Sequence, residues 1–480
     1  MLNYPKRVAY LLVLSLFLFS CQSSRTTAEP KPFITEHLIP NVQDETAPQY
    51  YALEDRLNVH DVPGFGISLL EDGAITYNKG FGFAQGDSIK VHGETIFHAG
   101  SISKSITALT ALLLEQQGKL SLDTNISVYL KEWEVPESPF LVQNPITLRH
   151  LLNHKAGINN FNGKGFASGD TLPDLVSYLN GASIAPAVQI DTIPGVRYRY
   201  SNIGFGIVQL VLEDITGETL ASLAQHLIFE PLAMDNSSFE TIPLEAISTQ
   251  HSFAHNYNGE VYDGYWRKEM NHASGGLKTT AKDLALLLEA LFDTYSGEED
   301  AYFSRSIVEK ITSGQDYHLG FELRDSGDSF SLTHTGRVPG FFAYMRLYPA
   351  TGDGFVLLAN GDSGGEVFRE VLRGLSDLNG WDIMQPRIIR PIVVAPEEVA
   401  QYLGKYFLTY EGEEYMLEVL DKQGHLVLRF DEETAEYPLR AIAKHQFVDI
   451  IDGDDIVFMV EDDQAIKVTT NDEYEYVRKE

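Results

Sequence analysis

The chain has 480 residues and a formal net charge of −32. A field of that sign repels phosphate backbones, which excludes nucleic acid from the expected partners. The 44% hydrophobic and 22% charged residues are ordinary for a globular protein, and the length predicts two or three domains.

Lys6 and Arg7 form a basic start, and Val8 to Phe19 is apolar but for Ser15. This run is short for a bilayer span and has the length of a signal peptide. Leu18-Phe19-Ser20-Cys21 follows, and Cys21 is the single cysteine of the chain. The stretch resembles a bacterial lipobox. That resemblance implies loss of residues 1–20 and lipidation of Cys21, with an ordinary signal peptide as the alternative. It also implies export to the bacterial cell envelope, periplasmic or outer membrane, held by the lipid alone. With one cysteine, an intrachain disulfide is excluded. Residues 21–45 read as a polar tether.

Tyr50 to His60 predicts a short helix. Gly64 to Leu70 and Ala74 to Lys79 predict a hairpin around Asp72-Gly73. Phe97 to Gly118 begins as a strand, passes a small-residue turn and becomes a helix, with Ile102, Ile106, Leu109 and Leu113 on one face and Gly118 as its stop. Ser101 is expected in the first turn, and Lys104 three residues on is its surface neighbour. An adjacent base activates a serine, and a helix N-terminus supplies N–H groups for an oxyanion. Alone, the pair reads equally as a capping serine and a surface lysine.

Leu122, Ile126 and Leu130 predict a further helix over Ser121 to Trp133. Ile146 to Ile158 predicts another, with Thr147 as N-cap and Gly157 as stop. His150 and His154 lie four apart there, but Leu151 occupies the zincin glutamate position and a third ligand is missing. The segment reads as structural with one packed histidine, and no metal or other cofactor is expected. Residues 159–170 read as a loop. Tyr200-Ser201-Asn202 precedes an apolar helix ending before Gly217, either as a simple cap or with Tyr200 and Asn202 facing a cleft. Ala273 to Leu287 predicts a glycine turn and a helix from near Thr280, with Asp283 in its first turn. His334-Thr335-Gly336 stands at a strand leading into a hairpin of Phe341 to Tyr348 and Phe355 to Gly361. Glycine within a strand marks close approach of a ligand or another backbone. Residues 386–398, with Pro391 and Pro396, read as a linker. Residues 399–480 alternate in short segments and predict a small all-β barrel or sandwich without a catalytic constellation.

The motifs S-I-S-K at 101–104, Y-S-N at 200–202 and H-T-G at 334–336 stand in order. Together they resemble the serine β-lactamase and penicillin-binding-protein superfamily, over a domain of residues 46–385. Y-x-N in the middle motif is similar to class C β-lactamases, D-Ala-D-Ala carboxypeptidases and related esterases. The resemblance implies an α+β fold, an antiparallel sheet flanked by helices with a helical subdomain, and a site between them. It implies Ser101 as nucleophile, Lys104 as the amine that helps deprotonate it and Tyr200 as proton shuttle. Asn202 would hold the substrate amide, and His334, Thr335 and Gly336 would line the opposite wall. The backbone N–H groups of Ser101 and Arg337 would form the oxyanion hole.

Two departures matter. E-x-x-L-N, which carries the class A deacylating glutamate, is not found after Asn202. His334 stands where β-lactamases have lysine, which favours carboxypeptidase- or esterase-like chemistry. A protonated His334 would bind a substrate carboxylate and let go above about pH 7. The Arg337 side chain supplies charge only if it faces the cleft rather than solvent, and Tyr265 and Trp266 either line the cleft or pack elsewhere. The leading expectation is a serine hydrolase with an acyl-enzyme on Ser101, acting on a small-molecule or peptide amide or ester, cell-wall D-amino-acid peptides first. A β-lactamase and a non-catalytic binding or sensing module are the alternatives.

Overall fold

Asp72 and Gly73 both take positive φ, 50° and 81°, and turn the strand Gly64–Glu71 back into Ala74–Gln85. In the computed structural model, this hairpin belongs to an eight-stranded sheet. The residues described are 33–479 except 162, 164, 168, 183, 184, 315, 327, 328, 432–434 and 472. The signal segment and Cys21 therefore lie outside the described residues. Across the sheet the order is Ile89–Lys90, Ala74–Gln85, Gly64–Glu71, Asp353–Ala359, Phe341–Tyr348, Ser329–Val338, Phe321–Ser326 and Tyr317–His318. Every neighbouring pair is antiparallel.

Alternation along the central strands buries both faces of the sheet. Phe65, Ile67, Phe355 and Leu357 pack under the helices Leu53–Val59 and Gly364–Asn379. Leu70, Val356 and Leu358 join the larger core on the other side, with the helix Ala281–Ser296. That core continues into a helical part built on Ser103–Gln116 and Asn202–Thr216. Helices and an antiparallel sheet thus form the expected α+β arrangement.

Ser103–Gln116 is more deeply placed than its apolar face predicted. Every residue from Ser103 to Leu114 is buried. Its polar side chains survive there because each finds a backbone acceptor. Ser105 Oγ donates to Gly320 O at 2.6 Å, and Thr110 Oγ1 to Ile106 O at 2.9 Å.

Three expectations are corrected. The helix expected over Ser121 to Trp133 is a single 3-10 turn, Ile126–Val128, capped by Asn125. Leu122 and Ile126 are buried, but side chains take the backbone groups that a helix would use. Leu122 N–H donates to Glu115 Oε1 at 2.8 Å, and Lys131 N–H to Asp214 Oδ2 at 2.8 Å. The helix at Thr147 is capped as expected but spans only Leu148–Leu152, and the chain turns at His154 rather than waiting for Gly157. Residues 33–45, read as tether, are folded: Leu38 and Ile39 are buried, and Val42–Asp44 pairs in parallel with Arg387–Ile389 from the segment read as linker. Tethers do not bury aliphatic side chains, and Leu38 is 0% exposed in the core beneath Gly364–Asn379.

Eight strands, from Gly404–Tyr410 to Tyr474–Arg478, close the C-terminal barrel. Tyr406, Leu417, Phe447, Phe458 and Val468 fill it.

Leu38→Ala removes a fully buried side chain from the segment read as tether. It is expected to lower stability by about 2–5 kcal/mol, measured as a fall in the urea midpoint with unchanged slope.

Candidate active site

The strand Phe97–Gly100 pairs with Leu277–Thr279 and ends at Gly100, whose φ is +51°. Ser101 and Ile102 form a turn, and the helix begins at Ser103. Ser101 therefore stands just before the helix, not within its first turn. Lys104 N–H donates to Ser101 O at 3.0 Å and Ser105 N–H to Ile102 O at 3.0 Å, so the chain winds in through a tight turn. The three-residue spacing still brings the side chains together. Lys104 Nζ lies 3.0 Å from Ser101 Oγ and donates to Ser274 O at 2.6 Å.

Tyr200 arrives from the start of the Asn202–Thr216 helix. Ser201 is the N-cap, and its Oγ accepts from Gly204 N–H at 3.1 Å. The cap turns the residue before it toward Ser101, and Tyr200 Oη–H donates to Ser101 Oγ at 2.9 Å. Both readings of Y-S-N hold at once: Ser201 caps, while Tyr200 and Asn202 line the cleft. Asn202 is held at its backbone by Asn160 Oδ1, 2.7 Å away, and by Asn271 Nδ2, which donates to its carbonyl at 2.5 Å.

The opposite wall is the strand Ser329–Val338. A Cβ on Gly336 would stand 1.9 Å from Ala99 O and 3.1 Å from Ser101 N. A Cβ on Gly100 would stand 2.7 Å from Arg337 N. Only glycines let the two backbones meet so closely, and the meeting brings the amides of Ser101 and Arg337 to one junction beside Ser101 Oγ. Thr335 is exposed on this wall. The Arg337 side chain lies in the cleft rather than in free solvent. Its guanidinium carbon is 4.9 Å from the Phe342 ring centre, and Nη2 donates to Tyr257 Oη.

The cleft between these walls measures about 1080 Å³. Ser101, Tyr200, Asn202, His334, Thr335, Gly336 and Arg337 all border it. Trp266 does not: it is buried against His98 and Phe341, and Tyr265 stacks on Phe253 at 4.0 Å. His150 serves the capping box of Thr147, and among the described residues no cluster of metal ligands exists.

Electrostatics define the working forms. Lys104 is fully buried, and desolvation holds its amine well below the ordinary lysine range, opposed in part by Glu269. Burial pushes the Tyr200 phenol well up, against the hydrogen bond to Ser101. Burial pushes the Glu269 carboxyl up to about 7 and the Lys278 amine down to about 8, each opposing the other's shift.

His334 departs from its expected role. It is 1% exposed, and desolvation followed by the Lys104 charge pushes it down to about 3. Its Nδ1–H donates to Thr335 O at 2.7 Å, which leaves Nε2 to accept from Tyr317 Oη–H at 3.3 Å. It is a neutral, buried strut near neutral pH and cannot present a constant cation to a carboxylate. Residue type alone could not reveal this, since burial sets the shift. Tyr317, Asn160, Tyr257 and the Ser274 carbonyl also went unread. Backbone carbonyls and partners from distant segments leave no local pattern, although Ser274 lies within the glycine turn expected from Ala273 onward.

Fold and comparisons define the class, a serine hydrolase, and its cleft sets a lysine amine and a tyrosine hydroxyl within 3.0 Å of Ser101 Oγ. A family model described as Beta-lactamase matches residues 52–377, and the chain belongs to that family. It is 24% identical over 414 residues to penicillin-binding protein 4* of Bacillus subtilis strain 168, covering 78% of this chain and 87% of that one. Among solved structures, it resembles the octameric penicillin-binding protein homologue from Pyrococcus abyssi, with a TM-score of 0.60, 21% identity and coverage of 88% and 98%. It also resembles D-amino acid amidase from Ochrobactrum anthropi SV3 complexed with L-phenylalanine, at 0.55, 22% identity and coverage of 68% and 96%.

A neutral His334 gives a site-specific expectation. Its folded value lies far below the unfolded reference of about 6.5, so the folded state binds no proton there between about pH 6.5 and 4. An NMR titration of labelled histidine is expected to show a flat His334 resonance over that window, and His334→Lys is expected to destabilise the strand.

Proposed function

We propose that the chain forms an acyl-enzyme on Ser101 and hydrolyses an amide or ester, with D-amino-acid peptides of cell-wall type as the first candidate substrates. One observation carries the reading: Ser101 Oγ lies 3.0 Å from a desolvated amine and 2.9 Å from a protonated phenol. With Lys104 uncharged, Ser101 Oγ–H donates to its lone pair, while Nζ–H stays on Ser274 O. The serine proton passes to Lys104 as Oγ attacks the carbonyl carbon. Tyr200 Oη–H gives its proton to the leaving nitrogen or oxygen. Lys104 Nζ, 4.9 Å from the Tyr200 ring centre, restores that proton. Amides of Ser101 and Arg337 would take the oxyanion, each donor of this kind being worth roughly 10²–10³ in rate. Water then gives a proton to Lys104 as it attacks the acyl carbon, the bond from that carbon to Oγ breaks, and Lys104 returns the proton to Ser101 Oγ.

The substrate class is supported by the relatives' names, penicillin-binding protein 4* and D-amino acid amidase. Neutral His334 removes the charge that a lysine would hold in a β-lactamase, so the carboxypeptidase or esterase reading leads. Export and a lipid on Cys21 belong to the same proposal, supported by the basic start, the apolar run and the position of the single cysteine.

Mixing with benzylpenicillin is expected to add one drug mass to the wild type and none to Ser101→Ala, read by intact-mass spectrometry. A lasting adduct identifies a penicillin-binding peptidase, and rapid loss with opened drug identifies a β-lactamase. If no adduct forms and a p-nitrophenyl ester is not turned over, the binding-module reading replaces this one. Tyr200→Phe is expected to lose roughly 10²–10⁴ in kcat/KM. The rate should rise with pH through a Lys104 limb below the ordinary lysine range and fall only above the ordinary tyrosine range. Palmitate labelling is expected in the full chain and absent in Cys21→Ala.

A further inference from the structure

His154 is a buried titratable group beside the site that the proposed chemistry leaves unused. We propose that His154 is a positioning residue that holds the Tyr200 phenol on Ser101, an inference that rests on the acyl-enzyme reading above. Three independent contacts converge on Tyr200. The carbonyl of His154 accepts from Arg199 N–H at 2.8 Å, and its Nδ1 accepts from Ser201 N–H at 3.1 Å. The backbone N–H groups of the two residues on either side of Tyr200 are thus tied to one residue. The imidazole then packs on the Tyr200 ring itself, with centroids 4.3 Å apart.

The same ring reaches the opposite wall. It lies 4.5 Å from Tyr317, whose hydroxyl donates to His334. One side chain therefore spaces the tyrosine wall from the H-T-G strand. Phe205 closes a further side at 5.3 Å. The titratable groups facing His154 are Tyr198 and Tyr200 from the segment before the helix, Tyr317 and His334 from the sheet, and Lys104 from the central helix.

Two costs argue that the arrangement is more than filling. His154 takes a φ of +53°, which glycine or asparagine would adopt with less strain. With Nδ1 accepting, the proton sits on Nε2, which is buried without a hydrogen-bond partner among the described residues. A hydrophobic filler would avoid the second cost. The clamp also needs neutral imidazole, because a protonated Nδ1 cannot accept from Ser201. Burial keeps it neutral.

The test uses the full chain with His154→Phe, which keeps a ring but loses the acceptor. The second variant is His154→Asn, which tolerates the backbone conformation and keeps an acceptor but loses the ring. Each is made in wild type and in Tyr200→Phe. On a p-nitrophenyl ester, His154→Phe is expected to lose about a hundred-fold in kcat, with KM within about twofold. His154→Asn is expected to lose less, and neither should cost anything further in Tyr200→Phe. Titration of labelled tyrosine, which needs no activity, should show Tyr200 ionising closer to pH 10 in both variants as water reaches it. Equal losses with and without the Tyr200 hydroxyl, or an unmoved Tyr200 titration, would overturn the proposal. A wild type that neither acylates nor hydrolyses would instead remove the acyl-enzyme reading, and the tyrosine titration would still decide the positioning role.

Discussion

A lysine side chain with no exposed surface sits at the centre of this molecule. Burying an ammonium costs several kcal/mol unless it is paired or gives up its charge. Among the described residues no carboxylate lies on the Lys104 amine. It has a serine hydroxyl, one carbonyl and the rings of Tyr200 and Phe205, at 4.9 and 5.6 Å. The environment therefore favours the amine over the ammonium, and a free amine beside a serine is a base. The stability problem and the chemistry are the same fact.

Much of the surrounding architecture maintains that environment. The helix that carries Lys104 is buried from Ser103 to Leu114, within the one core that joins the sheet to the helical part. Ser274 reaches Lys104 from the short helix His272–Gly275, which Asn271 caps while also holding Asn202. Removing water from the site also raises the Tyr200 phenol and lowers His334. Burial acts on the three groups with opposite consequences by charge type: it keeps the amine and the imidazole unprotonated and the phenol protonated. Charge reaches the cleft instead from exposed side chains at its edge, Arg337 among them.

How much was legible depended on the range of the interaction. The hairpin at Asp72-Gly73, the caps Thr147 and Ser201, the helix start near Thr280 and the stop at Gly118 were readable because each acts within a few residues. The three motifs were readable because their chemistry demands specific residue types. The helix expected over 121–133 failed because Glu115 and Asp214, both from other helices, take its backbone donors. Residues 33–45 looked like a tether because the stretch follows a polar run without a clear period, yet Ile34, Leu38, Ile39 and Val42 are buried. Their partner, the strand Arg387–Ile389, lies hundreds of residues away.

The sequence by itself determined the three motifs, their order, the helix that bears Lys104 just after Ser101 and the all-β character of the tail. Those follow from side-chain identity and from periodicities that span one element. Only the tertiary structure decided the protonation states, the neutrality of His334, the seat of Arg337 at the cleft's edge, the closure of the tail into a barrel and the convergence of His154 on Tyr200. Each depends on desolvation or on contact between segments far apart in the chain, and neither is written in local residue order.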